Sequence, residues 1–209
     1  LDPARDLLEI APRVGEDWLR TEDIVATVER EGARIATILL PGVQYLTGQL
    51  LDIEAITAAG RKAGCVVGWD LAHAVGNVPV ALHDAGADFA VWCNYKYLNG
   101  GPGAVGGAFV HARHATDASL PRFAGWYGHD IATRFLMAPD FNPTAGAAGW
   151  QLSNPSILAM APLAASLEHF TAAGLPALRQ KSVALTGYFE RLVQARLAGR
   201  VEIITPSTP

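Results

Sequence analysis

Apolar residues run along this chain in two rhythms, one of helical period and one of short unbroken runs. Between residues 21 and 30, Ile24, Val25 and Val28 fall on one helical face, acids occupy the first turn and Thr21 stands where a cap belongs. The next segment, "RIATILL" at 34–40, is a short apolar run rich in β-branched residues and predicts a buried strand. Asp52 is placed to cap a helix over 53–63, and Gly64 is placed to end it. "CVVGWD" at 65–70 predicts a second strand, 79–86 a short helix, "DFAVWC" at 88–93 a third strand and "GGAFVHA" at 106–112 a fourth. A long apolar-rich helix is expected over 155–173 and an amphipathic one over 177–197, after which "VEIITP" is again strand-like. Residues 1–20 mix proline, acids and apolar residues without a period and read as a connecting segment.

Strands alternating with helices predict an α/β fold, a mainly parallel sheet with helices on both faces. Composition supports a large buried fraction: half of the 209 residues are hydrophobic and 17% are charged. That length suits one domain, or one large domain and the start of another. A formal charge of −4 supplies no attraction for nucleic acid or an anionic membrane. No apolar run approaches the roughly 18 residues of a membrane span. The two cysteines, Cys65 and Cys93, sit in apolar runs and without metal-ligand spacing, which reads as small buried hydrophobes of a reducing compartment, the cytoplasm by default. Leu1 is not a start methionine and the last run stops at once, so both ends read as cut and the chain as the interior of a longer protein.

Candidate chemistry gathers where strands end. In open α/β sheets ligands sit beyond the carboxyl ends of the strands. The second predicted strand ends at Asp70 in "GWDLAHAVG", with His73 three residues on, and the third ends just before Lys96 in "CNYKYLNGGPG". Lysine is costly to bury, so one set between a strand and a glycine-rich loop asks for a reason. Pyridoxal phosphate needs this pair of residue types: a lysine for its Schiff base and a carboxylate against its pyridinium nitrogen. Taken singly, each residue has an ordinary explanation. Asp70 is a common turn residue, His73 a satisfied histidine, Tyr95 and Tyr97 packing, and the glycines a flexible turn. The set in one crevice is harder to dismiss.

"GWDLAHAVGNVPVALHDAGADFAVWCNYKYLNGGPG", "GWYGH", "QLSNPSI" and "KSVALTGY" together resemble kynureninase, a pyridoxal-phosphate enzyme of fold type I, over nearly the whole chain. The resemblance implies hydrolytic cleavage of L-kynurenine, or its 3-hydroxy form, to anthranilate or 3-hydroxyanthranilate and L-alanine, in tryptophan catabolism and NAD biosynthesis. It makes Lys96 the Schiff-base lysine, Asp70 the pyridinium partner and His73 a cofactor contact near the phenolic oxygen. Tyr95 becomes a phosphate contact that aids proton transfer, Trp126 a phosphate-binding indole and Asn154 an active-site asparagine, the last two able to come from the partner of a homodimer. Pro41 stands where some members carry a serine, and a proline cannot donate a hydrogen bond. Residues 21–174 would be part of the cofactor-binding large domain, and 175–209 a long helix and the start of a small one. The family's upstream strands, phosphate loop and ring-stacking aromatic, and its downstream carboxylate-binding arginine, lie outside this chain. One face of the sheet is therefore expected to be open, and residues 1–209 alone are expected to be inactive.

Two other readings compete. Another fold type I enzyme, such as a cysteine desulfurase-like lyase, needs a cysteine on a mobile loop. A non-catalytic segment that only dimerises would keep the surface and lack a bound cofactor.

Overall fold

The computed structural model describes residues 2–207. A single helical turn, α1 (Pro3–Asp6), is capped by Asp2, whose carboxylate accepts from the Ala4 N–H at 3.1 Å. Helix α2 (Thr21–Glu31) follows. Thr21 does not cap it: the extended residue at the boundary is Arg20, and no side chain bonds the free N–H groups there. Thr21 is already the first helical residue, so the expected cap is displaced by one position. Asp52 does cap the next helix, α3 (Ile53–Lys62), accepting from the Ala55 N–H at 2.9 Å.

The strands are β1 (Thr37–Pro41), β2 (Val66–Asp70), β3 (Phe89–Cys93) and β4 (Gly106–Val110), with the one-turn helix α4 (Leu82–Ala85) between β2 and β3. They lie side by side in chain order. β1, β2 and β3 run parallel, and β4 returns antiparallel to β3. Residues 94–105 between β3 and β4 contain no helix. A parallel connection needs a crossover, so the chain turns back instead.

Helices α2 and α3 lie on one face of this sheet. Ile24, Val28, Ile56 and Thr57 pack there with Ile38, Val67, Trp69 and Ala90, all buried. The indole N–H of Trp69 would be orphaned in such a core, and it donates to Thr57 Oγ1 at 3.0 Å. Gly60 lets α3 approach closely: a Cβ there would stand 2.6 Å from Val67 Cγ2 and 2.7 Å from Ile38 Cδ1. The opposite face is different. Leu39, Val66 and Val91 point out of it and are 57%, 46% and 45% exposed, so the run at 34–40 is buried on one side only.

Asp88 ties the amino end of the sheet together. Its carboxylate accepts from the Val67 N–H and from His114 Nε2 and pairs with Arg113. Burial pushes this carboxyl up, but those hydrogen bonds and the Arg113 charge outweigh it and hold it below the usual carboxylate range.

Past β4 the chain runs through short turns to α5 (Ile157–Ala173) and α6 (Leu175–Leu197), parted by Gly174 at φ +76°. Leu163 is the one buried residue of α5, and α6 has none. Residues 201–206, expected to start a strand, form none among the described residues. A strand exists through its ladder, and nothing pairs with this run. Among the described residues no helix is long and apolar enough to cross a membrane.

Candidate functional site

Because β1, β2 and β3 are parallel, the loops that follow them leave the same edge of the sheet. β1 ends at Pro41, paired across the ladder with Asp70, which ends β2 and is itself paired with Val91 of β3. The backbone pairing runs one residue further: the Gly42 N–H donates to the Asp70 carbonyl and the Leu71 N–H to the Val91 carbonyl, each at 2.8 Å. Asp70 Oδ1 accepts from the Ala72 N–H at 2.9 Å, which fixes the turn out of β2. Its other oxygen has no protein partner among the described residues. Asn77 then donates to the His73 carbonyl at 3.0 Å and holds that turn closed.

This arrangement brings His73 and Lys96 together. Lys96 Nζ lies 2.7 Å from His73 Nε2, although the two residues come from different loops. The Tyr97 ring meets the imidazole edge-on at 6.1 Å, and Tyr45, on the loop after β1, stands 6.5 Å from it. Lys96 Nζ is also 5.8 Å from the centre of the Tyr95 ring. The chain has three lysines; Lys62 and Lys181 are exposed on helices, and Lys96 alone is half-buried.

Burial lowers the pKa of His73, the Lys96 cation lowers it further, and the Asp70 carboxylate offsets part of both. The imidazole is thus held neutral near pH 7, and its Nε2 accepts from the Lys96 ammonium. The Cys93 sulfur beside Tyr95 pushes that phenol above its ordinary value.

Several residues that shape this edge escaped the sequence reading. Gly76 adopts φ +81°, and a Cβ on it would lie 3.0 Å from the Tyr97 carbonyl carbon and 2.9 Å from Leu98 Cδ2. A glycine there lets the His73 loop touch the Lys96 loop. Buried Asn94 and the ring of Tyr45 were likewise unmarked. Only the glycine carried a local signal, in "HAVGN", and its meaning depends on a contact with a distant segment.

Two expected residues lie elsewhere. Trp126 is 44% exposed and packs edge-on against Phe135 at 5.4 Å, with the Arg134 guanidinium 5.9 Å from its ring. Asn154 is exposed in the stretch leading into α5. Among the described residues no hydrogen bond or ring contact joins either to the Lys96 cluster. The cysteines are not on a mobile loop: Cys65 is buried beside β2, where burial pushes its thiol up, and Cys93 closes β3.

A half-buried amine, a carboxylate with one oxygen free of protein partners and a neutral imidazole therefore share one sheet edge. That donor set fits a small molecule carrying a carbonyl for the amine and a basic ring nitrogen for the carboxylate.

Solved structures similar to this chain share the arrangement of elements. A cysteine desulfurase from Escherichia coli superposes with a TM-score of 0.67 at 20% identity, covering 85% of this chain and 42% of that one. A cystine C–S lyase gives a TM-score of 0.65 at 20% identity, over 83% of this chain and 46% of that one. At such identities they establish the fold. Sequence relatives are much nearer. The kynureninase of Koribacter versatilis is 60% identical over 208 residues, and that of Stenotrophomonas maltophilia 58%; each match covers 100% of this chain and 49% of the relative. The chain thus spans about half the length of the curated relatives it matches. The family model described as aminotransferase class-V matches residues 11–207. With that match running through every strand and both long helices, the chain belongs to the aminotransferase class-V family.

Proposed function

We propose that the complete gene product binds pyridoxal 5'-phosphate at the Lys96 edge and hydrolyses L-kynurenine, or its 3-hydroxy form, to the corresponding anthranilate and L-alanine. The observation that carries this reading is the contact of 2.7 Å between Lys96 Nζ and His73 Nε2 at the end of the strand that Asp70 terminates. Identities of 60% and 58% to proteins named kynureninase support the substrate.

In this reading Lys96 holds the cofactor and then serves as base and acid at the substrate's α-carbon. Asp70 presents its free oxygen to the ring nitrogen and keeps that nitrogen protonated. When bound, the cofactor supplies an electron sink for the pair left on that carbon. Neutral His73 accepts from the Lys96 ammonium, and with the cofactor bound it would hold the phenolic oxygen. Tyr95, next to Lys96 in the chain, is the residue to donate toward the phosphate and the reacting carbonyl. Trp126 and Asn154 act, in this proposal, across a homodimer, since neither reaches the cluster within one chain. The unpaired thiols of Cys65 and Cys93 suit a reducing compartment, and we assign the protein to the cytoplasm.

Fluorescence of released anthranilate from kynurenine tests the proposal on the complete gene product. Cofactor-dependent release of stoichiometric alanine and anthranilate is expected. Formation of alanine from cysteine, with kynurenine untouched, would overturn it in favour of desulfurase chemistry.

A further inference from the structure

The loop that carries Lys96 is held at its base by one side chain. Asn94 follows β3 directly and is 5% exposed, the most buried residue of residues 94–97. Its Oδ1 accepts from the Trp92 indole N–H at 2.9 Å and its Nδ2 donates to the Val105 carbonyl at 2.7 Å. Its own carbonyl accepts from the Gly100 N–H at 2.8 Å. One residue therefore fastens the start of the loop to its end at Gly100, to the residue before β4 and back to its own strand. Within this frame the Asn99 N–H donates to the Lys96 carbonyl at 3.0 Å, which takes Asn99 into a left-handed conformation at φ +54°. Gly100 admits no side chain, because a Cβ there would stand 2.9 Å from the Asn94 carbonyl oxygen.

We infer that Asn94 is a positioning residue: its amide sets the height and direction from which Lys96 Nζ meets His73. Both ends of the amide are used inside a nearly dry site, so its orientation is fixed, and a buried amide is costly to leave half-bonded. Lys96 has a long stem with several free torsions, and its ammonium is placed no better than the backbone beneath it. A shift of about 1 Å at a reacting group costs on the order of a hundredfold in rate. The inference rests on the proposed role of Lys96, and its test is built to separate the two.

Asn94→Ala and Asn94→Ser are made in the complete gene product, with Trp92→Phe removing only the indole donor. The cofactor-free proteins are treated with formaldehyde and cyanoborohydride, and methylation of Lys96 and of exposed Lys62 is followed by mass spectrometry. In the parent protein Lys96 should be protected relative to Lys62. Asn94→Ala should raise the Lys96-to-Lys62 rate ratio by about threefold or more as the loop loosens, and Trp92→Phe should raise it less. Asn94→Ser, whose hydroxyl both accepts and donates, should restore much of the protection. In the cofactor-loaded proteins kcat should fall about 10- to 100-fold in Asn94→Ala with KM changed much less, and the visible absorbance should shift. Unchanged methylation ratio and absorbance in a folded Asn94→Ala would overturn the inference, as would an Asn94→Ser no better than Asn94→Ala. If Asn94→Ala does not fold, Trp92→Phe decides in the same way. Failure of the parent protein to load cofactor on Lys96 would instead refute the proposed function, and the methylation ratios would still read the positioning.

Discussion

The two halves of this molecule are built on opposite terms. From α2 to β4 the face of the sheet that the helices cover is sorted: Ile24, Val28, Ile56, Val67 and Trp69 are buried in one continuous core, and the polar groups trapped there, Thr57 and Asp88, have partners. From Phe123 onward they are not. Phe123, Phe135, Leu158, Leu185 and Phe189 are all more than half exposed, and the two longest helices bury one residue between them. The difference shows where geometry can be exact enough for chemistry. A lysine can be held against a histidine at the edge of the first half because strands on either side fix both loops. Trp126 and Asn154, in the second half, have no such frame within a single chain.

The largest effect should come at the shared edge. Lys96→Ala in the complete gene product should abolish the cofactor's covalent attachment and its visible absorbance, and lower turnover about ten-thousandfold or more. Retained absorbance would break the assignment of this half as the catalytic frame. Asp70→Asn should keep the fold and still lose on the order of a hundredfold in turnover, because an amide cannot hold a ring nitrogen protonated. Near-normal kinetics would remove Asp70 from its role.

Stability should follow the same division. Ile56→Ala leaves a cavity under the sheet and should cost about 3–4 kcal/mol in urea unfolding, whereas Leu185→Ala on α6 should stay within about 0.5 kcal/mol. Equal costs would mean that α6 is as well packed in the assembled protein as the sheet. Asp88→Asn should destabilise by about 3 kcal/mol through the broken network at the far end of the sheet, with the Lys96 edge unchanged.

The smallest effects are in pH. Asp88 has its folded pKa held below the ordinary carboxylate value of 3.8, so its contribution is present above that pH and is lost as pH falls through the folded value. His73 has its folded pKa below the ordinary imidazole value of 6.5, so it too favours the folded state above about 6.5 and loses that contribution as pH falls. Melting temperatures of the parent and His73→Gln proteins should therefore converge as the pH is lowered from 7 toward 5. Divergence over that range would contradict a neutral His73.

The sequence pattern carried the first half well, for a physical reason. Short β-branched runs and Asp52 mark β2, β3 and α3 within one residue and β1 within three, because burial on one face and a local cap are sequence-local causes. The antiparallel return of β4 was not legible, since an apolar run has no direction; only the helix-free link at 94–105 hints at it. Thr21 was misplaced by one residue because a cap is decided by backbone angles at the boundary. At the site, Asp70, His73 and Lys96 could be read as strand-end residues. Asn94 and Gly76 could not, because each matters through a loop some distance away in the chain. In the second half both long helices were legible within two residues, at 157–173 and 175–197, because a helical period is local, whereas the exposure of residues such as Leu158 and Phe189 was not.

The most direct test of the central claim is chemical. The complete gene product, loaded with pyridoxal 5'-phosphate, is reduced with borohydride, digested, and its peptides are mapped by mass spectrometry. The cofactor's mass should appear on the peptide that carries Lys96 and on no other lysine. A label on Lys62, on Lys181 or on any lysine away from the β3 edge, or no label at all, would contradict the account.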